Sequence, residues 1–251
     1  MPKVTLLAHT PDAEKLVAAA ARFCYSGADA DTILDGLTPE KTADFLQMLV
    51  DMGHESPVEH ASFTFAIEGV SRSLLAQITR HRIASFSVQS QRYVKENHFT
   101  YITPPEIEED PEAKALFVRT MDEIQHSYDA LSDILYKKHL TALGGDVPGN
   151  KTKARKMANE DARFVLPNAC ETKIMMTMNV RSLYNFFRLR CCNRAQWEIR
   201  ALAWQMLDIC KKEAPHLFAK AGPACLSGPC TEGKMSCGRI DEVRKRGGAH
   251  V

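Results

Sequence analysis

Apolar and polar positions recur along this chain with two periods, and each period predicts one kind of element. Alternation with a period of two marks residues 4–8, 63–67 and 172–180, and this pattern favours strands. Spacing of three and four residues marks 10–24, 38–53, 71–78, 111–143, 151–164, 181–192 and 195–220. That spacing favours helices. No linker rich in Pro, Gly or Ser divides the chain before Gly222, so we predict one α+β domain over residues 1–221 and a Cys/Gly-rich tail over 222–251.

Two of the predicted helices share a start signal. Thr10-Pro11-Asp12 and Thr38-Pro39-Glu40 each offer a hydroxyl N-cap, a proline for the first helical position and an acid near the positive end of the helix dipole. Gly53 is placed to end the second of these helices. Residues 104–112, with two prolines and many acids, predict a surface connection.

Charge and cysteine usage narrow the function classes. The 251 residues carry 32 Lys and Arg against 31 Asp and Glu, which gives no general attraction to nucleic acid or to an acidic membrane. No stretch of 18 apolar residues and no signal peptide is seen. Eight cysteines without a secretory signal favour reduced thiols, so we predict a cytoplasmic protein without nucleic-acid or membrane partners.

The segment from Arg80 to Tyr93 is the densest candidate site. Arg80-His81-Arg82 is followed by hydroxyls, amides and a further arginine, and guanidinium groups match phosphate oxygens. We predict a site for a phosphorylated ligand. The alternative is a solvated basic loop, which the interleaved apolar side chains disfavour.

A second candidate lies between Asn179 and Arg190. Arg181 and Asn185 are four residues apart and share one helix face, whereas Arg190 lies about 180° around the helix from Arg181. These groups are therefore predicted to serve two neighbouring ligands, or a site shared between subunits. A helix with a solvated polar stripe is the alternative.

Residues 53–60 invite a metal hypothesis. A metal-dependent hydrolase would use His54, Glu55, Glu59 and His60, but zinc-binding histidines on a helix are four residues apart. His54 and His60 are six apart with Pro57 between them, so we predict no metal here.

The tail carries Cys225, Cys230 and Cys237, which could bind zinc with a fourth ligand such as His250. Their spacing matches no known zinc ribbon, and we predict no metal there either. A nucleic-acid-binding module built on residues 80–92 and this tail is disfavoured by the balanced charge.

Several of these motifs together resemble one family. Arg80-His81-Arg82, followed after seven residues by Ser90, resembles the signature of the flavin-dependent thymidylate synthases. The stretches 53–60, 162–167 and 179–190 also resemble motifs of that family, in the same order along the chain.

The resemblance implies a reaction, its partners and a fold. It implies reductive methylation of dUMP to dTMP with 5,10-methylenetetrahydrofolate as carbon donor, NADPH as reductant and FAD as hydride carrier, without a cysteine nucleophile. It also implies a homotetramer, with long helices packed on an antiparallel-rich sheet.

The resemblance further implies roles for individual residues. The cofactor-binding residues would be His54, Ser56, Arg80, His81, Arg82, Asn179, Arg181 and Asn185. The dUMP-binding residues would be Gln77, Arg80, Ser90, Arg92, Arg163 and Arg190. Arg190 is the predicted catalytic residue, because a fixed cation stabilises negative charge as it develops on the pyrimidine.

One position departs from the family pattern. Val88 stands where the family often has Glu or Gln. Gln89 is the candidate to replace that nucleotide contact, although alternation along a strand points neighbouring side chains to opposite faces.

Overall fold

The computed structural model describes residues 2–92 and 99–247. Tyr93 and His250 lie outside these residues. The fold combines helices with an antiparallel pair of strands and confirms the predicted α+β class. Within the described residues the backbone forms two compact units: 2–68, 77–87 and 174–247 make the first, and 69–76, 88–92 and 99–173 make the second.

The described strands form one sheet. They are β1 (Lys3–His9), β2 (Ser62–Ser71), β3 (Ser85–Val88) and β4 (Glu171–Asn179), in the order β1-β2-β4-β3. β1 and β2 are antiparallel, with an irregularity between Leu6 and Ala8. The three predicted strands are confirmed, whereas β3 was not predicted.

The described helices follow the predicted pattern with three additions. They are α1 (Ala13–Phe23), α2 (Ala30–Asp35), α3 (Pro39–Met52), α4 (Arg72–Ile78), α5 (Pro105–Glu109), α6 (Pro111–Ala142), α7 (Asn150–Ala162), α8 (Val180–Arg190), α9 (Trp197–Glu213) and α10 (Ile240–Gly247). The additions are α2, α5 and α10, and α5 occupies the predicted surface connection, which is therefore partly helical. α2 and α5 are six and five residues long, too short to show a clear period.

The start signal of α3 is confirmed and that of α1 is wrong. The Thr38 hydroxyl accepts a hydrogen bond from the Lys41 amide at 3.3 Å, and Gly53 ends α3 with φ 69°. Thr10 instead accepts from the Ser62 amide at 2.9 Å. This hydroxyl is therefore used to hold β1 to β2, and Asp12 takes the position before α1 without a side-chain cap.

The core of the first unit is aromatic. Phe63, Phe186, Phe187 and Phe218 are fully buried, and Phe218 makes edge contacts to Phe63 and Phe187. These contacts fix α8, which carries several candidate residues, against β2.

α9 ends earlier than predicted, at Glu213. Pro215 explains the difference, because proline restricts the preceding residue and removes a backbone donor.

In the second unit α6 packs against α7. Arg155 lies 4.0 Å from the centre of the Tyr136 ring, and Ser132 donates to Asn159 at 3.2 Å. These contacts fix α7, which leads into Arg163.

Candidate active site

A groove of about 1310 Å³ crosses the first unit and contains most of the candidate residues of that unit. Its walls come from the residues after α4, the start and outer face of α8, the turn before β2 and part of the tail. Among the lining residues are Arg80, His81, Arg82, Asn179, Arg181, Asn185, Arg188 and Arg190. This concentration of donors makes the groove suited to anions.

The start of α8 sets one wall. Asn179 has extended backbone angles, and its side-chain oxygen accepts a hydrogen bond from the Ser182 amide at 2.9 Å. This cap satisfies one of the amides that a helix start leaves without a partner. α8 consequently begins at the groove, with Arg181 and Asn185 along it.

Arg181 is held by two carboxylates. Its Nε donates to Glu55 at 3.2 Å, and its Nη1 donates to Glu59. These contacts raise the pKa of Arg181, with the Glu59 hydrogen bond as the largest cause. The two glutamates of the metal hypothesis thus face a cation.

His81 and Arg190 form a polar pair deeper in the groove. Arg190 Nε donates to His81 Nε2 at 3.1 Å, and Arg190 Nη2 donates to the Gln77 carbonyl at 3.4 Å. Partial burial, and then the charge of Arg190, lower the pKa of His81 to about 4. His81 is therefore neutral at pH 7, with its Nε2 as acceptor and its proton on Nδ1.

The prediction that Arg181 and Arg190 face apart needs a correction. They lie at opposite ends of α8, yet both line the same groove of one chain. Partial burial, and then the charge of Arg80, lower the pKa of Arg190.

A smaller apolar chamber of about 210 Å³ shares Glu55, Tyr184 and Arg188 with the groove. His54 lies on its lining, directly after the left-handed Gly53 that ends α3. Ser56 lines neither cavity.

The remaining candidates lie in the second unit. Arg92 Nη2 contacts both carboxylate oxygens of Glu160, at 2.9 and 3.0 Å, and Arg163 Nε donates to the Glu160 carbonyl at 3.2 Å. The Ser90 hydroxyl accepts from the Arg92 amide at 3.2 Å. Arg92 and Arg163 therefore both contact Glu160, and Ser90 contacts the backbone of Arg92.

Gln89 is held through its backbone. Its carbonyl accepts from Arg72 at 2.9 Å, and its amide donates to the Lys173 carbonyl at 3.0 Å. It directly follows β3, which ends at Val88.

Sequence reasoning missed several lining residues. The glutamates that face Arg181 were treated only as metal candidates, and Arg188 was not singled out. Cys225, Cys230 and Glu232 show that the tail contributes to the groove. The i, i+4 spacing of Arg188 and Tyr184 on α8 was the available signal.

The fold and the groove define a class of protein: an α+β enzyme for phosphorylated ligands that binds them with arginines. The groove exceeds the roughly 300–1,000 Å³ of an ordinary small-molecule pocket and so has room for a dinucleotide.

Comparison with known proteins gives the family. Residues 5–216 match the model of the thymidylate synthase complementing protein family. The flavin-dependent thymidylate synthase of Clostridium tetani is 54% identical over 97% of this chain and 96% of its own. Its counterpart from Geobacter sulfurreducens is 46% identical over 97% of both chains, and that of Pyrococcus furiosus is 38% identical over 98% and 96%. The chain belongs to the flavin-dependent thymidylate synthase family.

The cofactor of this family is FAD, and the groove residues fit it. Several guanidinium groups, two asparagines and a neutral histidine offer donors for a pyrophosphate and a flavin ring. The metal-dependent hydrolase hypothesis has no support from these relatives. In the part of the chain that the structure describes, no helix is both long and apolar enough to cross a membrane.

Proposed function

We propose that this protein converts dUMP to dTMP, with 5,10-methylenetetrahydrofolate as carbon donor and NADPH as the source of reducing equivalents. The observation that carries the proposal is the arginine-lined groove of the first unit, in a chain of this family. FAD, when bound, supplies the hydride that makes the new methyl group. The residues of the chain bind, orient and stabilise charge.

The groove residues hold the cofactor. Arg80, Arg82 and Arg181 pair with its phosphates, while Asn179 and Asn185 orient it. Neutral His81 donates from Nδ1, a role that its Nε2 contact with Arg190 supports. His54 contacts the ring from the apolar chamber, and Ser56 adds a hydroxyl contact; together these are the eight cofactor contacts of the proposal.

A second set of residues holds dUMP. Arg92 and Arg163 bind its phosphate together with Ser90, and Gln77 and Arg80 are further proposed contacts of dUMP. The contacts of Arg92 with the Glu160 carboxylate and of Arg163 with the Glu160 backbone carbonyl support this role, because they place the two guanidinium groups near each other. Gln89 makes the polar contact with the nucleotide that the apolar side chain of Val88 cannot make.

Arg190 is the proposed catalytic residue. Its guanidinium contacts the uracil and stabilises negative charge that develops on the ring during transfer. Its hydrogen bonds to His81 and to the Gln77 carbonyl fix its position before the substrate arrives.

The assembly and location are also part of the proposal. We propose a homotetramer in the cytoplasm, with residues 1–221 as the catalytic domain and 222–251 as its tail.

The test is an absorbance spectrum of the purified protein, followed by anaerobic NADPH and then by dUMP and methylenetetrahydrofolate. We expect a yellow protein that bleaches with NADPH and forms dTMP with both substrates. A protein that takes up no FAD, or one that bleaches and forms no dTMP, contradicts the proposal.

A further inference from the structure

Three cysteines from distant parts of the chain line the groove. Cys192 lies two residues after α8, and Cys225 and Cys230 belong to the tail; all three line the groove. Cys225 is buried, whereas Cys192 and Cys230 are partly accessible. Residues far apart in the chain are thus gathered in a place where the family reaction needs no thiol.

Cys237 is brought to the same place by the turn after α8. Asn193, next to Cys192, donates from Nδ2 to Cys237 Sγ at 3.7 Å. Arg194 donates to the Met235 carbonyl at 3.3 Å and pairs with Glu232 at 3.7 Å. The turn that carries Cys192 is therefore fastened to the tail segment that ends in Cys237.

α10 fastens the other part of the tail. Arg244 donates to the carbonyls of Cys225 and Gly228 at 3.2 and 3.1 Å, and Arg246 lies 4.3 Å from the Trp204 ring centre. Between these anchors, residues 231–239 are exposed. Gly233 and Gly238 have positive φ angles of 52° and 72°, so the segment turns tightly.

The electrostatics agree with this gathering. Burial raises the pKa of the Cys225 thiol, and the neighbouring thiols of Cys230, Cys192 and Cys237 raise it further. Like-charge groups disfavour one another's ionisation in this way only when they are close.

We propose that Cys192, Cys225, Cys230 and Cys237 bind one Zn²⁺ ion. Four thiolates in tetrahedral geometry are typical of structural zinc sites. In the part of the chain that the structure describes, no three His, Cys, Asp or Glu side chains already stand in position to hold an ion. Zinc therefore draws the exposed segment of the tail towards Cys192.

The sequence alone did not identify Cys192 as a metal ligand. The three tail cysteines alone lack a fourth ligand, and Cys192 supplies it from the described chain. The other cysteines do not compete, since none of them lines the groove, and Cys191 and Cys210 are fully buried. A site with four protein ligands leaves no position for substrate, so the ion is structural and holds the tail wall of the groove.

The test is metal analysis of the full-length protein, produced with zinc in the medium and purified under reducing conditions. We expect about one zinc per chain. After removal of zinc, added Co²⁺ should give the thiolate-to-cobalt charge-transfer band and the strong visible bands of a tetrahedral sulfur site. Neither readout depends on FAD or on turnover, so the result is separate from the proposed activity.

Matched variants locate the site. Cys192→Ser and Cys230→Ser should each weaken zinc binding by more than the roughly 10–100-fold typical of changes around a metal ligand. Cys24→Ser, at an exposed cysteine after α1, should keep one zinc. Wild-type protein that holds no zinc and gives no cobalt spectrum overturns the proposal. The proposal is also overturned if both ligand variants retain zinc. The same holds if the protein contains iron and inorganic sulfide instead of zinc, or if two of the four cysteines form a disulfide.

Discussion

At the residue scale, burial and the contact with Arg190 together set the charge of His81, and the contact sets its proton position. Its Nε2 accepts from Arg190, and its ring lies edge-on to the buried Phe186 with 5.0 Å between ring centres. Protonation would place two cations in contact in a partly desolvated place. The histidine is therefore a neutral donor at the pH at which the enzyme works.

This contact predicts a pH dependence of stability. The folded-state pKa of His81 is about 4, against 6.5 as its ordinary value. Between these values the unfolded chain binds the additional proton, so this residue makes stability fall as the pH falls from 6.5 towards 4. We expect the melting temperature of the wild type to drop more steeply over this interval than that of His81→Asn.

The control for that comparison is His126→Asn, at an exposed position of α6. It should keep the wild-type slope. Equal slopes for the wild type and His81→Asn would show that His81 is not held neutral.

Arg190 carries the second residue-scale prediction. Removal of one preorganised electrostatic group typically lowers kcat by about 10²–10³-fold. Arg190→Ala should therefore lose roughly 100-fold or more in kcat while it keeps bound FAD, as measured by dTMP formation and flavin absorbance. Arg119→Ala, exposed on α6, is the matched control. An Arg190→Ala enzyme with near-wild-type turnover would remove this residue from the mechanism.

At the scale of elements, the cap of α8 joins stability to ligand binding. Asn179 begins α8 with its side-chain oxygen and lines the groove with the same side chain. Its amide nitrogen is the group that can contact the cofactor. The two roles belong to different atoms and can be separated.

Two substitutions make that separation. Asn179→Ala should lower the free energy of unfolding by about 0.5–2 kcal/mol and weaken FAD binding. Asn179→Asp keeps the capping oxygen but loses the amide donor, so it should restore the melting temperature without restoring FAD affinity. If Asn179→Asp restores both, the residue acts only as a cap.

Helices and strands could be predicted where no contact from a distant part of the chain overrode the local sequence signal. Thr38 caps α3 through the Lys41 amide, whereas the same signal at Thr10 is overridden by pairing with Ser62 on β2. Ser62 is 52 residues away from Thr10, so rules based on neighbouring residues could not predict this hydrogen bond.

The residues of the candidate site likewise fall into those that local motifs identify and those that only the fold brings together. Motifs identified Arg80, Arg181 and Arg190, because residue type and spacing carry that information. The carboxylates that hold Arg181 and Arg92 could not be assigned from sequence. Glu59 and Glu160 lie 122 and 68 residues from their partners, and only the fold brings them into contact.

At the scale of the whole molecule, exposed apolar side chains favour self-association. Ile83 is 75% exposed and Tyr25 80% exposed in the first unit, and Phe164 is 83% exposed in the second. Exposed apolar side chains mark interfaces between proteins when they form a contiguous patch, so burial of these three side chains between subunits is part of the assembly proposal.

We predict that light scattering will give the molar mass of four chains of 28.1 kDa each. If subunits complete one another's sites, specific activity should also fall on dilution, because dissociation removes ligand-binding residues. Inert carrier protein in every dilution controls for adsorption. A monomer that is fully active at all concentrations would contradict both the tetramer and shared sites.

The contacts of Glu160 with Arg92, and of Glu59 with Arg181, have a consequence for measured affinities. Each guanidinium already has a carboxylate partner before an anionic ligand arrives. Binding is then an exchange of one anion for another, and the dissociation constant reports the difference between two ion pairs. Since the expelled carboxylate regains water as the phosphate loses it, affinity for phosphorylated ligands should change less with salt than the number of arginines suggests.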